Sequence, residues 1–169
     1  NATDLILSPN PTGFSEFGGA VAWKGEIAAV SARQEAGTLT SGRVHVYHAP
    51  QIGPWSPEAT LVADSTTDSG YGIGVDIDAD RLFVAHGLDA KRLDVWQRAS
   101  NGAWHFETKV AVAPGASGFF DDQSMVADGG FVHFNGSGTG TRFIAELELG
   151  IIYRAATSDS TPARGTQAL

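Results

Sequence analysis

The sequence contains no cysteine in its 169 residues. This absence excludes disulfide bonds, thiol nucleophiles and thiolate metal sites. No window reaches the run of about 18 apolar residues that a membrane-spanning helix needs, so we expect no membrane span. Lys and Arg number 11 against 19 Asp and Glu, which leaves a formal net charge of −8. A surface so poor in cations is not suited to neutralising phosphates, and we therefore expect no nucleic-acid partner.

Helical patterns are lacking as well. The 21 glycines and 7 prolines interrupt every stretch before apolar residues can recur at the i, i+3, i+4 and i+7 positions of an amphipathic helix. Between these interruptions lie short apolar runs, of which Arg43–Tyr47 and Arg92–Trp96 alternate in the two-residue period of a half-buried strand. The sequence predicts an all-β protein.

A unit of four such strands occurs twice and begins a third time, with a period of roughly 50 residues. The units open with Phe17–Val21, Tyr71–Val75 and Phe120–Ser124. In the first two units the fourth strand follows a tryptophan, Trp55 or Trp104. We expect these two tryptophans to pack between neighbouring units, because large aromatic side chains dominate such interfaces.

Four antiparallel strands per unit are typical of a β-propeller blade. We therefore predict a β-propeller or partial propeller of about three four-stranded antiparallel blades. Residues 1–155 would form a single domain with repeats at about 13–64, 65–114 and 115–155, and the small polar residues of 156–169 would be a tail or linker.

The two ends of the repeat array bear on how the blades would close into a propeller ring. Residues 2–9 resemble the fourth strands of the first two units, so we expect an N-terminal strand that completes a blade, although Ile151–Ala155 is an alternative fourth strand for the last unit. Known propellers use about four to eight blades. Three interpretations stay open: self-association with another copy, further blades that are missing from this chain, or an open stack of three sheets.

The repeats resemble the FG-GAP repeats of integrin-like and bacterial secreted β-propellers. The resemblance rests on Phe17-Gly18 and Tyr71-Gly72 as the opening pairs and on Val84-Ala85-His86-Gly87 at the end of a second strand. It implies a secreted or cell-surface protein with a protein or glycan partner. Many members of that family carry a calcium loop between the first two strands, and calcium is the one cofactor that the resemblance suggests.

Candidate binding residues are few. Asp76, Asp78 and Asp80 alternate as calcium-binding acids do, but the loop lacks a glycine at the sixth place and a closing acid. The preferred interpretation is therefore that they solvate a tight hairpin, with a calcium site as the alternative. His86 and His133 follow second strands and could approach a central channel, or they could be structural. Trp23 has no aromatic counterpart in the other units, which makes it a better candidate for an exposed binding surface than Trp55 or Trp104, with a place in the core as the alternative.

We expect no enzyme, because the sequence lacks a nucleophile motif and a phosphate-binding loop. The preferred interpretation is a secreted scaffold that binds a protein or a glycan through surfaces held on a rigid frame. One alternative is a structural subunit that polymerises by strand donation. Another is a polysaccharide hydrolase or lyase with His86, His133 and Asp121 or Asp122 in a central channel.

Overall fold

The computed structural model describes residues 5–11, 15–35, 42–50, 53–63, 70–87, 92–112, 120–136, 142–148 and 151–155. This part of the chain is all-β and contains no helix, as predicted. It therefore offers no helix with the length and apolar character to cross a bilayer. The predicted tail at 156–169 lies outside the described residues.

The strands fall into three antiparallel meanders. The first sheet contains β1 (Phe17–Lys24), β2 (Ile27–Ala32), β3 (Arg43–His48) and β4 (Ser56–Val62). The second contains β5 (Tyr71–Asp78), β6 (Arg81–His86), β7 (Arg92–Arg98) and β8 (Trp104–Val112). The third contains β9 (Phe120–Asp128), β10 (Phe131–Gly136), β11 (Arg142–Glu146) and β12 (Ile151–Ala155). A short parallel pairing of β12 with β8 joins the second and third sheets, and no sheet closes on itself within the described chain.

Two-residue turns join the first and second strands of each sheet. The first turn residue has a left-handed backbone in all three hairpins, with φ of 60° at Gly25, 52° at Ala79 and 58° at Gly129. Glycine adopts this conformation without the steric cost that a Cβ imposes. The local sequence therefore favours the first and third hairpins, which have glycine at this position, whereas the second has Ala79 there.

The repeated opening pairs also have a backbone explanation. Gly18 and Gly72 have φ of 86° and 82°, and a register shift follows the preceding aromatic residue in each case. Such β-bulges bend a strand and favour glycine at the left-handed position. The aromatic residues, Phe17 and Tyr71, precede the bulges, so the glycine of the repeat marks a bend at the start of the first strand.

The second sheet is buried on both faces. Leu82 and Val84 of β6 pack in a cluster shared with the first sheet, whereas Phe83 and Ala85 pack in a cluster shared with the third. Successive residues of a strand point to opposite faces, so one apolar run supplies both interfaces. The first strands also meet, because β5 contacts both β1 and β9. The three sheets are thus stacked face to face.

A polar clamp ties the first sheet to the second. Glu58 of β4 accepts hydrogen bonds from Arg98 of β7 at 2.8 and 2.7 Å and from the indole N–H of Trp104 at 2.6 Å. Trp104 also packs against the apolar cluster between these sheets, which confirms its predicted position, whereas Trp55, for which the same position was predicted, packs against Trp23 instead. The guanidinium of Arg98 lowers the pKa of the Glu58 carboxyl below its usual value of 4.5.

The N-terminal segment does not complete a blade as a strand in the part of it that the structure describes, and that prediction is wrong there. Residues 5–11 are irregular and lie against the first sheet. Tyr47 donates its hydroxyl proton to the Leu7 carbonyl at 3.4 Å, and the Asn10 amide donates to Glu35 at 2.8 Å. The fourth strand of the third sheet is β12, the alternative fourth strand considered from the sequence.

Candidate functional site: the end face of the first sheet

In the part of the chain that the structure describes, one face of the first sheet is not covered by another sheet. Alternation along β1 turns Ala22 toward the second sheet and turns Val21 and Trp23 away from it. Residues paired directly across neighbouring strands share a face of the sheet. We call this surface the end face, and the strand registers assign to it Val21, Trp23, Ala28, Val30 and Tyr47.

An apolar groove of about 700 Å³ lies on the end face. Two tryptophans stand in its wall: the Trp23 and Trp55 rings meet edge to face, with centroids 6.3 Å apart and an angle of 84° between the ring planes. The Trp23 indole N–H donates to the Gly25 carbonyl at 2.7 Å, which fixes its orientation. Trp23 is still 72% exposed, so its ring is available to a partner.

The groove is bordered by the N-terminal segment. Ile6 contributes to its wall, and the contact of Leu7 with Tyr47 holds the segment over the neighbouring part of the end face. The segment leaves Val21 and Trp23 uncovered. Among the described residues, the N-terminal segment therefore covers only part of the end face.

In the second sheet, the residues equivalent to Val21 and Trp23 are buried. By register, Val21 and Trp23 of β1 correspond to Val75 and Ile77 of β5. Val75 and Ile77 are 6% and 3% exposed, because the first sheet packs on them, whereas Val21 is 60% exposed. The end face thus exposes apolar side chains to solvent. The equivalent positions of the second sheet are buried in an interface between two sheets.

His86 lies in the interior rather than in an open channel. It is the last residue of β6 and is fully buried, with Nε2 2.9 Å from an Asp94 carboxylate oxygen. Arg92 approaches the other oxygen of Asp94 at 3.1 Å, and the Tyr71 ring meets the imidazole edge to face at 4.8 Å. These contacts suit a structural role, which the sequence had left as an alternative.

A second buried cluster of the same kind occurs in the first sheet. His45 Nε2 lies 3.1 Å from the Glu35 carboxylate, Arg43 lies 3.3 Å from it, and the Phe17 ring centroid is 5.9 Å from the imidazole. Sequence reasoning missed both clusters. A signal was present, because the third strands open with Arg43-Val44-His45 and Arg92-Leu93-Asp94.

His133 occupies a different environment from His86. It lies in the middle of β10, opposite Val126 and Ile144, and is exposed on the face of the third sheet turned away from the second. By register it corresponds to Phe83 rather than to His86. The described residues therefore do not join the two histidines in one channel, and the side chains of Asp121 and Asp122 lie outside the described set.

Two of the three candidate calcium ligands are bonded to protein groups. Asp76 accepts a hydrogen bond from the Ala127 N–H, and Asp78 accepts one from the Gly129 N–H at 3.1 Å. Lys24 also reaches Asp78 at 2.6 Å and lowers the pKa of its carboxyl. Asp80 lies in the exposed hairpin turn. Among the described residues, no three His, Asp or Glu side chains converge as a metal site.

Comparison with known protein families and with curated proteins finds no match. The function is therefore inferred from the geometry of the described residues. One feature of that geometry is the apolar groove at Trp23 and Trp55.

Proposed function

We propose that the chain is a non-enzymatic β-propeller-type scaffold that binds a protein or glycan partner through the end face of its first sheet. The arrangement of the sheets supports this proposal, since three four-stranded meanders stack face to face with their first strands in contact. Location outside the cell or at the cell surface follows from the resemblance to FG-GAP repeats and is part of the same proposal.

The groove with Trp23 and Trp55 is the observation that carries the proposal. Concave apolar surfaces with a few polar groups are the usual sites of ligand binding. An indole ring adds a flat apolar platform together with an N–H donor, which suits both sugar rings and protein side chains. Trp23 is exposed although its equivalent in the second sheet, Ile77, is buried. A partner that covers Trp23 would remove this apolar surface from water.

The positions of the charged groups favour a scaffold over an enzyme. General acid–base catalysis needs a titratable side chain within hydrogen-bond reach of a substrate. Asp94 and His86 instead bond to each other in the interior, and Glu58 is bonded to Arg98 and Trp104 between two sheets. In the described part of the chain, these groups hold strands and sheets together.

The proposal is tested by measuring partner capture with a glycan array and with a panel of purified extracellular proteins. Trp23→Ala is expected to reduce capture at least tenfold, and Phe106→Ala is the matched control because Phe106 is also an exposed aromatic side chain but lies outside the end face. Equal capture by Trp23→Ala and the parent chain would contradict the proposal. Release of new reducing ends from a polysaccharide would contradict its non-enzymatic part.

A further inference from the structure

We propose that the partner covering the end face is a second copy of this chain, which docks the exposed outer face of its third sheet onto the groove. This inference rests on the proposed function, since it names the partner of the same site. We define the outer face by three exposed side chains of the β9–β10 hairpin: Val126, Phe131 and His133.

The chain already contains two examples of this contact. In the first, Ala22 and Ala29 of the first β-hairpin pack toward the second sheet. In the second, Phe83 of the β5–β6 hairpin packs toward the third sheet. In each case, equivalent residues of the hairpin formed by the first two strands of a sheet face the next sheet. The next sheet receives them on its opposite face, so both contacts have the same geometry.

The third sheet presents the same hairpin face with nothing on it in the described chain. By register, Val126 and His133 correspond to Ala22 and Ala29 in the first sheet. Val126 is 58% exposed, and Phe131 is also exposed. The outer face is thus the third instance of a surface that is covered in both earlier sheets.

The two uncovered faces correspond to the two sides of the contact that already joins neighbouring sheets. The outer face corresponds to the surface that each earlier sheet offers to the next one. The end face, with Val21 and Trp23, corresponds to the receiving surface, represented in the second sheet by Val75 and Ile77. Docking in this order would continue the existing packing. The contact would be head to tail, because its two sides are different surfaces.

A specific hydrogen bond is expected at this contact. Asp78 of the second sheet accepts the N–H of Gly129, the first turn residue of the third sheet. The register equivalents are Asp128 at the end of β9 and Gly25 in the first turn of the first sheet. A Cβ added to Gly25 would meet no atom within 4 Å, so its turn is open to approach. We expect Asp128 of one copy to accept the Gly25 N–H of the other.

Two copies would bring six sheets together, within the range of about four to eight in known propellers. We therefore expect light scattering of the parent chain to give a mass near twice 17.7 kDa at high concentration. The decisive experiment uses two exposed positions, one on each side of the contact. Trp23→Glu places a charge in the groove, and Val126→Glu places one on the outer face. Circular dichroism checks that both variants are folded.

Each variant alone is expected to be a monomer, with self-association weakened at least tenfold. Their equimolar mixture is expected to restore a dimer, because the intact outer face of Trp23→Glu can dock on the intact groove of Val126→Glu. Phe106→Glu is the control that should associate like the parent chain. Association by Val126→Glu alone would overturn the head-to-tail contact.

A parent chain that stays monomeric at every concentration would also overturn this inference. The capture assay with Trp23→Ala then separates the two proposals. Partner capture that still depends on Trp23 would leave the binding function standing with a different partner, whereas capture independent of Trp23 would remove both.

Discussion

The contact of Glu58 with Arg98 and Trp104 gives the sharpest test of how the first two sheets are held together. We expect Glu58→Gln to destabilise the fold by about 2 kcal/mol at neutral pH. Hydrogen bonds to charged groups contribute about 1.5–3 kcal/mol. Glutamine removes the charge and one acceptor oxygen but keeps a carbonyl for one of the donors, so part of the interaction remains.

The exposure of the pair limits the size of this effect. The side chains of Glu58 and Arg98 are 14% and 27% exposed. Solvent screens them in part, so the loss should stay below the roughly 3–5 kcal/mol that follows when a fully buried ion pair is broken. For a domain of this size, about 2 kcal/mol corresponds to a fall in Tm of about 4–8 °C.

The pH dependence follows from the lowered pKa of Glu58. A carboxyl whose pKa is lower in the folded state than in the unfolded state stabilises the fold above the unfolded value, here 4.5. That contribution is lost as the pH falls through the folded value. The stability difference between the parent chain and Glu58→Gln should therefore be full at pH 7 and should shrink as the pH falls below 4.5.

Urea denaturation followed by tryptophan fluorescence measures both effects, and Glu107→Gln is the matched control. Glu107 occupies the same position in the second repeat and pairs with Arg81 at 2.9 and 2.7 Å, but both side chains are more exposed and lie within one sheet. Its substitution should cost less than about 1 kcal/mol. Equal losses in the two variants, or a difference for Glu58→Gln that does not change with pH, would refute the reasoning.

Three further predictions concern the stacked sheets. Gly42→Ala should destabilise the fold by about 2 kcal/mol or more, because the new Cβ would lie 2.4 Å from the Tyr71 carbonyl oxygen. The control is Gly74→Ala, whose Cβ would make only ordinary contacts, so its stability should be close to that of the parent chain. Thermal melts of both variants would show the difference. Asp94→Ala should cost about 3–5 kcal/mol because it removes the buried carboxylate that forms an ion pair with Arg92 at 3.1 Å, and a loss below about 1 kcal/mol in urea denaturation would contradict this. Millimolar calcium should leave the Tm unchanged, since the acids at the end of β5 are already bonded to protein groups, and a saturable rise would reveal a site.

Local features of the sequence predicted much of the fold. Glycines with a left-handed backbone, such as Gly25 and Gly72, mark turns and bulges at equivalent places in successive repeats. The alternation in Arg43–Tyr47 predicted a strand, which the structure has as β3. These signals are readable because hairpins and strand periodicity depend on residues close together in the chain.

The candidate site was only partly predictable. The absence of an aromatic counterpart pointed to Trp23, and the structure places this residue in the groove. The partnership of Trp23 with Trp55 could not be read from the sequence, because it depends on how β1 and the segment before β4 come together. For His86 the sequence left a structural role and a place in a channel open, and only the structure shows that it is buried beside the Asp94 carboxylate.

The sequence by itself therefore determined the all-β class, the hairpins and the repeat, because each is a property of neighbouring residues. The tertiary structure decided which faces of the strands are covered. Val21 and Val75 are the same residue at equivalent positions, yet one is exposed and the other is buried. The difference arises because the first sheet lies over Val75, whereas no sheet of the described chain lies over Val21. The sequence around each valine does not specify whether another sheet will cover it.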